Sequence, residues 1–465
     1  MEIKPINPLI FREYDIRGIF NETLNIDDAY LIGKGFASQL KYKKNNTISV
    51  GMDGRLTSPV LSKALIKGIL DTGTNVIDIG CCPTPMLYFS RAFLNTDAAI
   101  MITGSHNPAN HNGFKMMIGN QSFYGQEIKK LEKDIQEQSF LKGSGKSYKK
   151  DINDDYQNKM LDSCGDIKPF KVVWDCGNGA TGDLIRSLVK ELPGDHHVLF
   201  GDIDGNFPNH HPDPSQPENL LDLQKEIKLR NADLGIAFDG DGDRIGIVSC
   251  KGEIIPGDLL TAFLAGGILK TLPNSKIILD IKSSELAVNS INSQGGQALL
   301  WKTGHSLIKT KLKEISSPLA GEMSGHIFWN EGWNGMDDGP YVALRVLKEL
   351  GNRINGLEGF INNLPPIFVS PEIRIECDDK SKFNVIKIIT EHIKSTTEEF
   401  YLNDLDGIRV STSNGWWLLR ASNTQAAIVG RAEGYDENSL NLLINEIEKN
   451  LSLAGLNWSR KDKKI

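Results

Sequence analysis

Runs of apolar and β-branched residues recur along the chain, and most of them end in a polar, glycine-containing loop that precedes a helical pattern. Such runs cover residues 47–51, 98–103, 171–174, 234–238 and 276–281. Short apolar strands that alternate with helical stretches are typical of an α/β protein. Because ligands of such sheets gather beyond the carboxyl ends of the strands, we expect the functional residues in the loops that follow these runs.

The chain of 465 residues is too long for one core, and its length suggests several domains of about 100 to 150 residues. The polar stretch KGSGKSYKKDINDD at 142–155 is predicted to join two domains. Further boundaries are expected after the strand 245–249 and in the proline-rich segment 362–372. The predicted domains are residues 1–150, 151–253, 254–366 and 367–465.

Composition narrows the possible classes of function. The net charge of -7 argues against a nucleic-acid binder, which needs a concentrated basic surface. An acidic chain can still bind an anionic substrate if cations gather in one cleft. With 40% hydrophobic and 24% charged residues, the chain is typical of a globular protein.

The cysteines and the apolar runs bear on location. The six cysteines have neither metal-ligand spacing nor the density of a secreted disulfide scaffold. The N-terminus lacks an apolar signal region, and the longest apolar run, near residues 259–269, is too short for a membrane span. We therefore expect a cytoplasmic protein with no membrane partner.

The segment most typical of a metal site is DGDGDR at 239–244, where Asp239, Asp241 and Asp243 alternate with glycines between two predicted strands. Alternate carboxylates in such a loop can converge on one hard cation. A solvated acidic turn is the alternative. So few carboxylates beside Arg244 suit an Mg²⁺ ion shared with a phosphate oxygen better than a closed calcium site.

TGSHNP at 103–108 places Ser105 on a tight loop directly after an apolar strand. The glycine before it allows close approach, and the proline after it restricts the backbone. A serine in this position can act as a nucleophile, although serines in such loops more often cap a helix or a turn. His106 could orient the loop or titrate, and the sequence leaves both roles open.

Other segments could bind phosphate. YDIRG at 14–18, GFK at 113–115 and Arg244 supply cations near loops, and a phosphoryl group needs fixed cations in its ground and transition states. RASNT at 420–424 combines an arginine fork with small donors, as in a phosphate cradle. Each segment alone is equally compatible with an ordinary surface loop, so the prediction depends on their convergence.

KTGHS at 302–306 and GEMSGH at 321–326 place histidine, glutamate and serine in glycine-containing loops. These side chains could bind adjacent sugar hydroxyls, and either histidine could act as a general base. A purely structural role for each loop is the alternative.

GNGATG at 177–182 is a competing signal, since it matches a dinucleotide-binding pattern and Asp202 follows about 20 residues later. It explains neither the aspartates nor the serine loop. Close packing between a strand and a helix accounts for its glycines equally well.

In order along the chain, YDIRG, TGSHNP, NGFK, DGDGDR, DIK, KTGHS, GEMSGH and RASNT resemble the motifs of α-D-phosphohexomutases. The resemblance spans nearly the whole chain. It is closest to the bacterial phosphomannomutase/phosphoglucomutase branch, because TGSHNP and GEMSGH stand where phosphoglucosamine mutases usually have SASHNP and a GEQSGH-like loop. It implies four domains around a central cleft, of which three are α/β with mixed sheets and the fourth is a smaller, mobile α+β domain.

The resemblance also implies roles for individual residues. Ser105 would carry the phosphoryl group and, with Asp239, Asp241 and Asp243, would hold one Mg²⁺ per chain. The other catalytic side chains would be Arg17, Lys115, His106, Arg244 and His305. The substrate-binding side chains would be Tyr14, Lys282, Glu322, Ser324, His326, Arg420, Ser422, Asn423 and Thr424.

These features predict a phosphohexomutase that interconverts hexose 1-phosphate and hexose 6-phosphate, of mannose, glucose or both. The route implied is a phosphoserine enzyme and a hexose 1,6-bisphosphate, which would also serve as activator. The alternatives are a phosphoglucosamine mutase, a non-catalytic sugar-phosphate-binding protein and an NAD-dependent oxidoreductase. The expected partners are small sugar phosphates, without nucleic acid or membrane, and the chain is expected to be a monomer.

Overall fold

The computed structural model describes residues 5–40, 46–396, 400–422 and 426–458. These residues form four sheets that follow the four predicted segments in order, except that the strand Ile254–Ile255, just past the second predicted boundary, belongs to the second sheet. Short 3₁₀ turns occur at Pro8–Ile10 and Pro217–Leu220. No helix within the described ranges combines the length and apolarity needed to cross a lipid bilayer.

The first segment is built on a mixed sheet. Its strands are β1 (Ile16–Ile19), β2 (Thr47–Met52), β3 (Asn75–Cys81), β4 (Ala98–Ile102), β5 (His111–Ile118), β6 (Gln121–Ser122) and β7 (Ser147–Lys149). Its helices are α1 (Ile26–Gln39), α2 (Ser58–Leu70), α3 (Thr84–Phe93) and α4 (Gln126–Gln136). The strand order is β1-β5-β4-β2-β3-β7, with β6 beside β5. Because β2 and β4 are parallel neighbours, the loops that follow them leave the same edge of the sheet.

The polar stretch 142–155 is more structured than a plain linker. It contains β7, which extends the first sheet by pairing in parallel with β3. All three residues of β7 are exposed, as expected for a short polar strand at a sheet edge. Polarity alone therefore did not distinguish a linker from an edge strand.

The second segment carries the aspartate loop. Its strands are β8 (Phe170–Asp175), β9 (Gly194–Leu199), β10 (Leu234–Phe238), β11 (Ile245–Ser249) and β12 (Ile254–Ile255). Its helices are α5 (Asn153–Cys164), α6 (Gly182–Leu188) and α7 (Leu221–Arg230). The order is β12-β11-β10-β8-β9, with β8 parallel to β9 and β10, and β11 antiparallel to β10. DGDGDR is thus the connection of the β10–β11 hairpin.

The third segment has the strand order β14-β13-β15-β16 among β13 (Lys276–Asp280), β14 (Gln297–Trp301), β15 (Leu319–Gly321) and β16 (Ile327–Trp329). Its helices are α8 (Gly257–Leu269), α9 (Glu285–Ser293), α10 (His305–Glu314), α11 (Gly339–Asn352) and α12 (Gly356–Asn362). Strand β13 is parallel to β14 and β15. The loops with DIK, KTGHS and GEMSGH consequently leave one edge of this sheet together.

The fourth segment is α+β. Its strands are β17 (Phe368–Val369), β18 (Ile373–Glu376), β19 (Tyr401–Asn403), β20 (Ile408–Thr412), β21 (Gly415–Ala421) and β22 (Ala427–Gly434). The helices α13 (Lys382–Ser395) and α14 (Glu437–Leu453) accompany an antiparallel sheet of order β17-β22-β21-β20-β19, in which β18 also pairs with β22.

One apolar core runs through the first three segments. Met101, Trp174 and Phe263, from one segment each, are buried in the same cluster. The fourth segment has a core of its own around Trp417 and Ile447. This arrangement fits three α/β units and a more independent fourth one, while the exact boundaries at 150, 253 and 366 stay predictions.

A buried hydrogen bond ties the second segment to the third. The Tyr156 hydroxyl of α5 lies 2.8 Å from both carboxylate oxygens of Asp338, whose Oδ1 also accepts the Tyr341 N–H at the first turn of α11. Burial raises the pKa of Asp338 to about 6. The tyrosine therefore stabilises a carboxylate that burial has removed from hydrating water.

We expect Tyr156→Phe to lower the free energy of unfolding by about 1–2 kcal/mol, because a buried acceptor loses a donor. Urea titration followed by circular dichroism measures the change. Tyr148→Phe, which removes the same atom from an exposed tyrosine of β7, is the matched control and should stay within about 0.5 kcal/mol of wild type. Equal losses in the two variants would contradict this role of Tyr156.

Candidate active site

The three aspartates of DGDGDR lie in the loop between the fully buried strands β10 and β11. Asp239, Asp241 and Asp243 each have 0% exposure, and one ligand atom from each lies within 4.8 Å of the others. Gly242 has a φ of +74°, a left-handed conformation that glycine adopts without steric cost. Carboxylates this close repel one another, so they need cations beside them.

Lys115, on β5 of the first segment, supplies one of these cations. Its ammonium nitrogen lies 2.6 Å from Asp241 Oδ2 and also contacts Asp243 Oδ2. Burial works to lower the pKa of Lys115, but Asp241, Asp243 and Asp239 together raise it. Burial would also raise the pKa of Asp241, yet Lys115 lowers it below its ordinary value. Burial and the two neighbouring aspartates instead raise the pKa of Asp239 well above its usual range.

Ser105 faces the aspartates from the loop after β4. Its hydroxyl donates a hydrogen bond to Asp239 Oδ2 at 2.8 Å, and His106 Nδ1 lies 3.1 Å from the same hydroxyl oxygen. Ser105 has a φ of +49°, which is uncommon for a residue other than glycine. Burial, with Arg244 and Arg17, lowers the pKa of His106 well below its usual range, so this imidazole is neutral at pH 7.

The two predicted arginines lie around the serine loop. Arg17 Nη1 donates to Asn107 Oδ1 at 3.1 Å. Arg244 Nε donates to His326 Nε2 at 2.9 Å, and its Nη1 lies 3.7 Å from Asp213 Oδ1. Burial works to lower the pKa of Arg244, but Asp213 and other carboxylates raise it. Two permanent cations therefore border the serine.

His326 and His305 belong to a charged cluster beside the aspartates. His326 Nδ1 lies 3.1 Å from Asp337 Oδ2 and 3.6 Å from Asp243 Oδ1. Lys309 Nζ lies 2.7 Å from Asp337 Oδ1, and the His305 ring stacks on His326 with centroids 5.7 Å apart. Burial, with Lys309, lowers the pKa of His305 well below its usual range. Asp243, His326 and Asp337 also lie close enough to share a cation, but Lys309 already neutralises Asp337.

The KTGHS and GEMSGH loops contact each other. Glu322 Oε1 accepts the Gly304 N–H at 2.6 Å, and the Ser324 hydroxyl donates to Glu322 Oε2 at 3.3 Å. The Tyr14 hydroxyl of the first segment donates to the Thr303 carbonyl at 3.0 Å. The predicted sugar-binding loops are therefore joined to the segment that carries Ser105.

The fourth segment is joined to the same loops. Arg420 Nε donates to Asp406 Oδ2 at 3.1 Å, and that oxygen also accepts the Thr303 N–H at 3.0 Å. Lys282 Nζ lies 4.0 Å from Oε2 of Glu372, at the start of the fourth segment. These contacts put the Arg420 and Lys282 side chains beside the KTGHS loop and the segment junction, respectively.

Ser422 follows β21 directly and is buried. Its N–H donates to the Ala427 carbonyl at 2.9 Å, and its own carbonyl accepts a hydrogen bond from Lys382 Nζ at 2.6 Å. Asn423 and Thr424, the other predicted members of the phosphate clamp, lie outside the described residues.

Sequence patterns missed three buried side chains of this site. The Thr84 hydroxyl, at the start of α3, donates to Asp241 Oδ2, and Lys309 forms the ion pair with Asp337. Lys309 follows His305 by four residues on α10, a helical spacing that could have linked the two. Local pattern gives no comparable signal for Thr84 or Asp337.

The aspartate triad fits a hard divalent cation. In the described part of the chain, no hydrogen-bond donor reaches Oδ1 of Asp241 or Oδ1 of Asp243, and both oxygens are buried. A buried carboxylate oxygen without a partner is costly. A donor set made of oxygens alone suits Mg²⁺ better than a soft transition metal.

The glycine turn GNGATG packs against the aspartate loop. The Ala180 N–H donates to the Gly240 carbonyl at 2.9 Å, and a Cβ on the glycine before Ala180 would lie 2.9 Å from that oxygen. Asp202, the acidic residue of the dinucleotide pattern, is exposed and paired with Arg186. The glycines therefore serve close packing, and the dinucleotide interpretation is not favoured.

Family comparisons cover nearly the whole chain. The phosphoglucomutase/phosphomannomutase alpha/beta/alpha domains I, II and III match residues 8–142, 147–252 and 256–368. The C-terminal domain of the same family matches residues 372–450.

Individual relatives agree with these matches. A phosphomannomutase/phosphoglucomutase from Pseudomonas putida is 42% identical over 431 residues, which cover 93% of each chain. A phosphoglucomutase from Neisseria meningitidis is 40% identical over 94% of this chain and 96% of its own. The crystal structure of a phosphoglucomutase/phosphomannomutase family protein from Burkholderia thailandensis superposes with a TM-score of 0.90, at 38% identity, over 96% of this chain and 98% of that one.

These findings confirm three predictions from the sequence: the family, the fold of three α/β domains and a C-terminal domain, and an enzyme of the mutase class. The aspartate loop, the serine loop and the sugar-loop motifs lie in the first three matched domains, and RASNT lies in the fourth. The chain belongs to the phosphoglucomutase/phosphomannomutase family.

Proposed function

We propose that this enzyme interconverts hexose 1-phosphate and hexose 6-phosphate, with Ser105 as the phosphoryl carrier. The observation that carries the proposal is the hydrogen bond from the Ser105 hydroxyl to Asp239 within a buried carboxylate triad. A hydroxyl at this place is next to both the oxygen donors of a divalent cation and the charges of Arg17, Lys115 and Arg244. Such surroundings suit a group that repeatedly gains and loses a phosphoryl group.

The reaction then consists of two transfers. The free hydroxyl of the bound sugar monophosphate attacks phosphoserine, so that its bond to phosphorus forms while the bond from Ser105 Oγ to phosphorus breaks. The product is a hexose 1,6-bisphosphate, which turns over in the site and returns its other phosphoryl group to Ser105. The hydroxyl proton must leave in each direction. Of the candidates Lys115, Arg17 and His305, the neutral imidazole of His305 has a lone pair to accept it, whereas an ammonium or a guanidinium has none.

Positioning and charge stabilisation account for most of the rate acceleration of such a transfer, because its transition state is loose. Arg17, Lys115 and Arg244 would stabilise the equatorial oxygens of the transferring group. The neutral His106 can hold the serine oxygen without adding charge. His305 is also neutral, so its ring keeps a lone pair, but its lowered pKa makes it a weak base for the sugar hydroxyl.

One Mg²⁺ per chain would be held by Asp239, Asp241 and Asp243 together with the Ser105 oxygen or its phosphate. When bound, the ion would neutralise charge on the transferring phosphoryl group. Lys115 now pairs with two of these carboxylates, so it would have to share them with the ion. Its ammonium would then be freer to face the phosphoryl group.

Substrate binding is assigned mainly to loops of the third and fourth segments. Glu322 and Ser324 would bind sugar hydroxyls. Around them, Tyr14, Lys282 and His326 would border the sugar, with the non-reacting phosphate held by Arg420, Ser422, Asn423 and Thr424. Because the bisphosphate must bind in two orientations, these contacts should favour groups that both orientations present alike. The hexose 1,6-bisphosphate would also act as activator, by restoring phosphate to an enzyme that has lost it.

Mannose and glucose phosphates are the proposed substrates. The relative from Pseudomonas putida is named for both activities, and one from Methanocaldococcus jannaschii, 34% identical, is named a phosphomannomutase. Glu322 and Ser324 are expected at C3 and C4 of the sugar, whereas mannose and glucose differ at C2. That the enzyme is a monomer and works in the cytoplasm stays a prediction.

We expect Ser105→Ala to lower turnover of glucose 1-phosphate by more than about a thousandfold, because the phosphoryl carrier is lost. A coupled assay for glucose 6-phosphate measures it. Ser90→Ala removes another buried serine hydroxyl, which donates to the Leu87 carbonyl of its own helix, and should keep turnover within about twofold of wild type. Near wild-type activity of Ser105→Ala would end the carrier hypothesis.

Asp241→Asn should raise the Mg²⁺ concentration needed for half-maximal activity by about tenfold or more, since one of few charged ligands becomes neutral. Titration of Mg²⁺ into chelator-treated enzyme measures this concentration. Asp162→Asn, at an exposed position of α5, is the control. An identical Mg²⁺ response of wild type and Asp241→Asn would count against this loop as the metal site.

Substrate preference is tested with the 1-phosphates of mannose, glucose and glucosamine, each with catalytic hexose 1,6-bisphosphate present. We expect kcat/KM for the first two to agree within about tenfold and kcat/KM for glucosamine phosphate to be at least about tenfold lower. An ammonium at C2 would add a cation to an already cationic cleft. A clear preference for glucosamine phosphate would replace this assignment with a phosphoglucosamine mutase.

A further inference from the structure

The backbone of the Ser105 loop is held in a conformation that it would not favour alone. Ser105 has a φ of +49°, and a non-glycine residue in the left-handed region costs roughly 1–2 kcal/mol. Local bonds, such as the Asn107 N–H to the Gly104 carbonyl at 2.9 Å, shape the turn. The strain must be offset by contacts from outside the loop.

Arg55 provides those contacts. Its side chain lies beneath the loop with 1% exposure, and all five N–H groups of a guanidinium have acceptors there. Nη2 donates to the carbonyls of Ser105 at 2.7 Å and Asn107 at 2.6 Å. Nη1 donates to those of Pro108 at 2.5 Å and His111 at 3.0 Å, and Nε donates to Asp53 Oδ2 at 3.1 Å.

Asp53 fixes Arg55 in turn. The Asp53 carboxylate accepts the Gly104 N–H at 3.1 Å and the Ser58 hydroxyl at 2.6 Å. It also accepts the backbone N–H of Arg55 at 3.0 Å. Both residues lie in MDGR, directly after β2, and the serine loop follows the parallel neighbour β4. The two loops therefore form one hydrogen-bonded unit at the sheet edge.

The second domain closes over this unit. The Phe207 ring lies 5.2 Å from Arg55 Cζ, and a Cβ on Gly205 would lie 2.6 Å from Arg55 Cα. A Cβ on Gly240, inside the aspartate loop, would lie 2.5 Å from the Ser105 carbonyl oxygen. The carbonyl that Arg55 holds is thus also the point where the serine loop touches the aspartate loop.

We propose that Arg55 is a positioning residue for phosphoryl transfer, which holds the backbone of the Ser105 loop so that the serine oxygen stays in register with Asp239. This inference rests on the proposed function of Ser105. Arg55 donates all of its N–H groups to protein acceptors, so it acts through the loop and not on the sugar. Misplacement of a reacting group by about 1 Å can cost about a hundredfold in rate.

Arg55→Lys tests the proposal, because lysine keeps the charge but lacks the planar fork that reaches four carbonyls. We expect kcat to fall about 10- to 100-fold, with KM for glucose 1-phosphate within about threefold of wild type. In hydrogen exchange, a peptide that spans residues 103–111 should exchange faster. Arg353→Lys is the matched control: Arg353 donates to Glu349 and to the Phe263 carbonyl in the third segment, and this variant should change neither kcat nor the exchange of that peptide.

A second variant disturbs the same contact without changing Arg55 itself. A Cβ on Gly104 would lie 2.5 Å from Arg55 Cζ and Nε, so Gly104→Ala should displace the guanidinium and reproduce the fall in kcat at constant KM. It decides the question if Arg55→Lys does not fold. Folded variants that keep wild-type kcat would overturn the proposal. Variants that raise KM for glucose 1-phosphate but leave kcat unchanged would overturn it as well.

Ser105→Ala, assayed in the same series, separates this proposal from the proposed function. If Ser105→Ala is inactive while Arg55→Lys retains kcat, the carrier stands and the positioning role fails. If Ser105→Ala is active, the carrier fails, and faster exchange of residues 103–111 in Arg55→Lys then still measures whether Arg55 holds the loop.

Discussion

Three carboxylates buried within 4.8 Å of one another are the constraint on which the rest of this site depends. Such a cluster is stable only beside positive charge. The first domain supplies Lys115, and Arg244 continues the aspartate loop itself. The same charges then suit a phosphoryl group, which brings negative charge of its own to this place. The electrostatic need of the fold and that of the proposed reaction are therefore met by the same residues.

The fold brings these groups together because, in each of the first three domains, the functional loops leave one edge of the sheet. Asp239 and Glu322 follow directly on buried strands, and Ser105 lies in the loop that follows another. The shared core of the first three domains keeps their relative positions. The fourth domain has its own core, and it meets the KTGHS loop of the third domain through contacts such as that of Asp406 with the Thr303 N–H.

Strand ends were the part of the site that sequence could predict. Apolar runs located β10 and β11 at their observed bounds, and the aspartates and Ser105 then followed from the loops between strands. Contacts between residues far apart in the sequence left no local pattern from which they could be predicted. Lys309 with Asp337 and Arg55 with the serine loop are of this kind, because each arginine or lysine looks like a surface charge until the fold shows its partners.

Direct location of the phosphoryl group tests the central claim, which is that Ser105 carries it. The purified enzyme is incubated with ³²P-labelled glucose 1,6-bisphosphate and Mg²⁺, digested, and mapped by mass spectrometry of the labelled peptides. We expect the label on the peptide that contains Ser105, and its loss when unlabelled glucose 1-phosphate is added. Label on another residue, or continued turnover by an enzyme that never acquires label, would contradict the account.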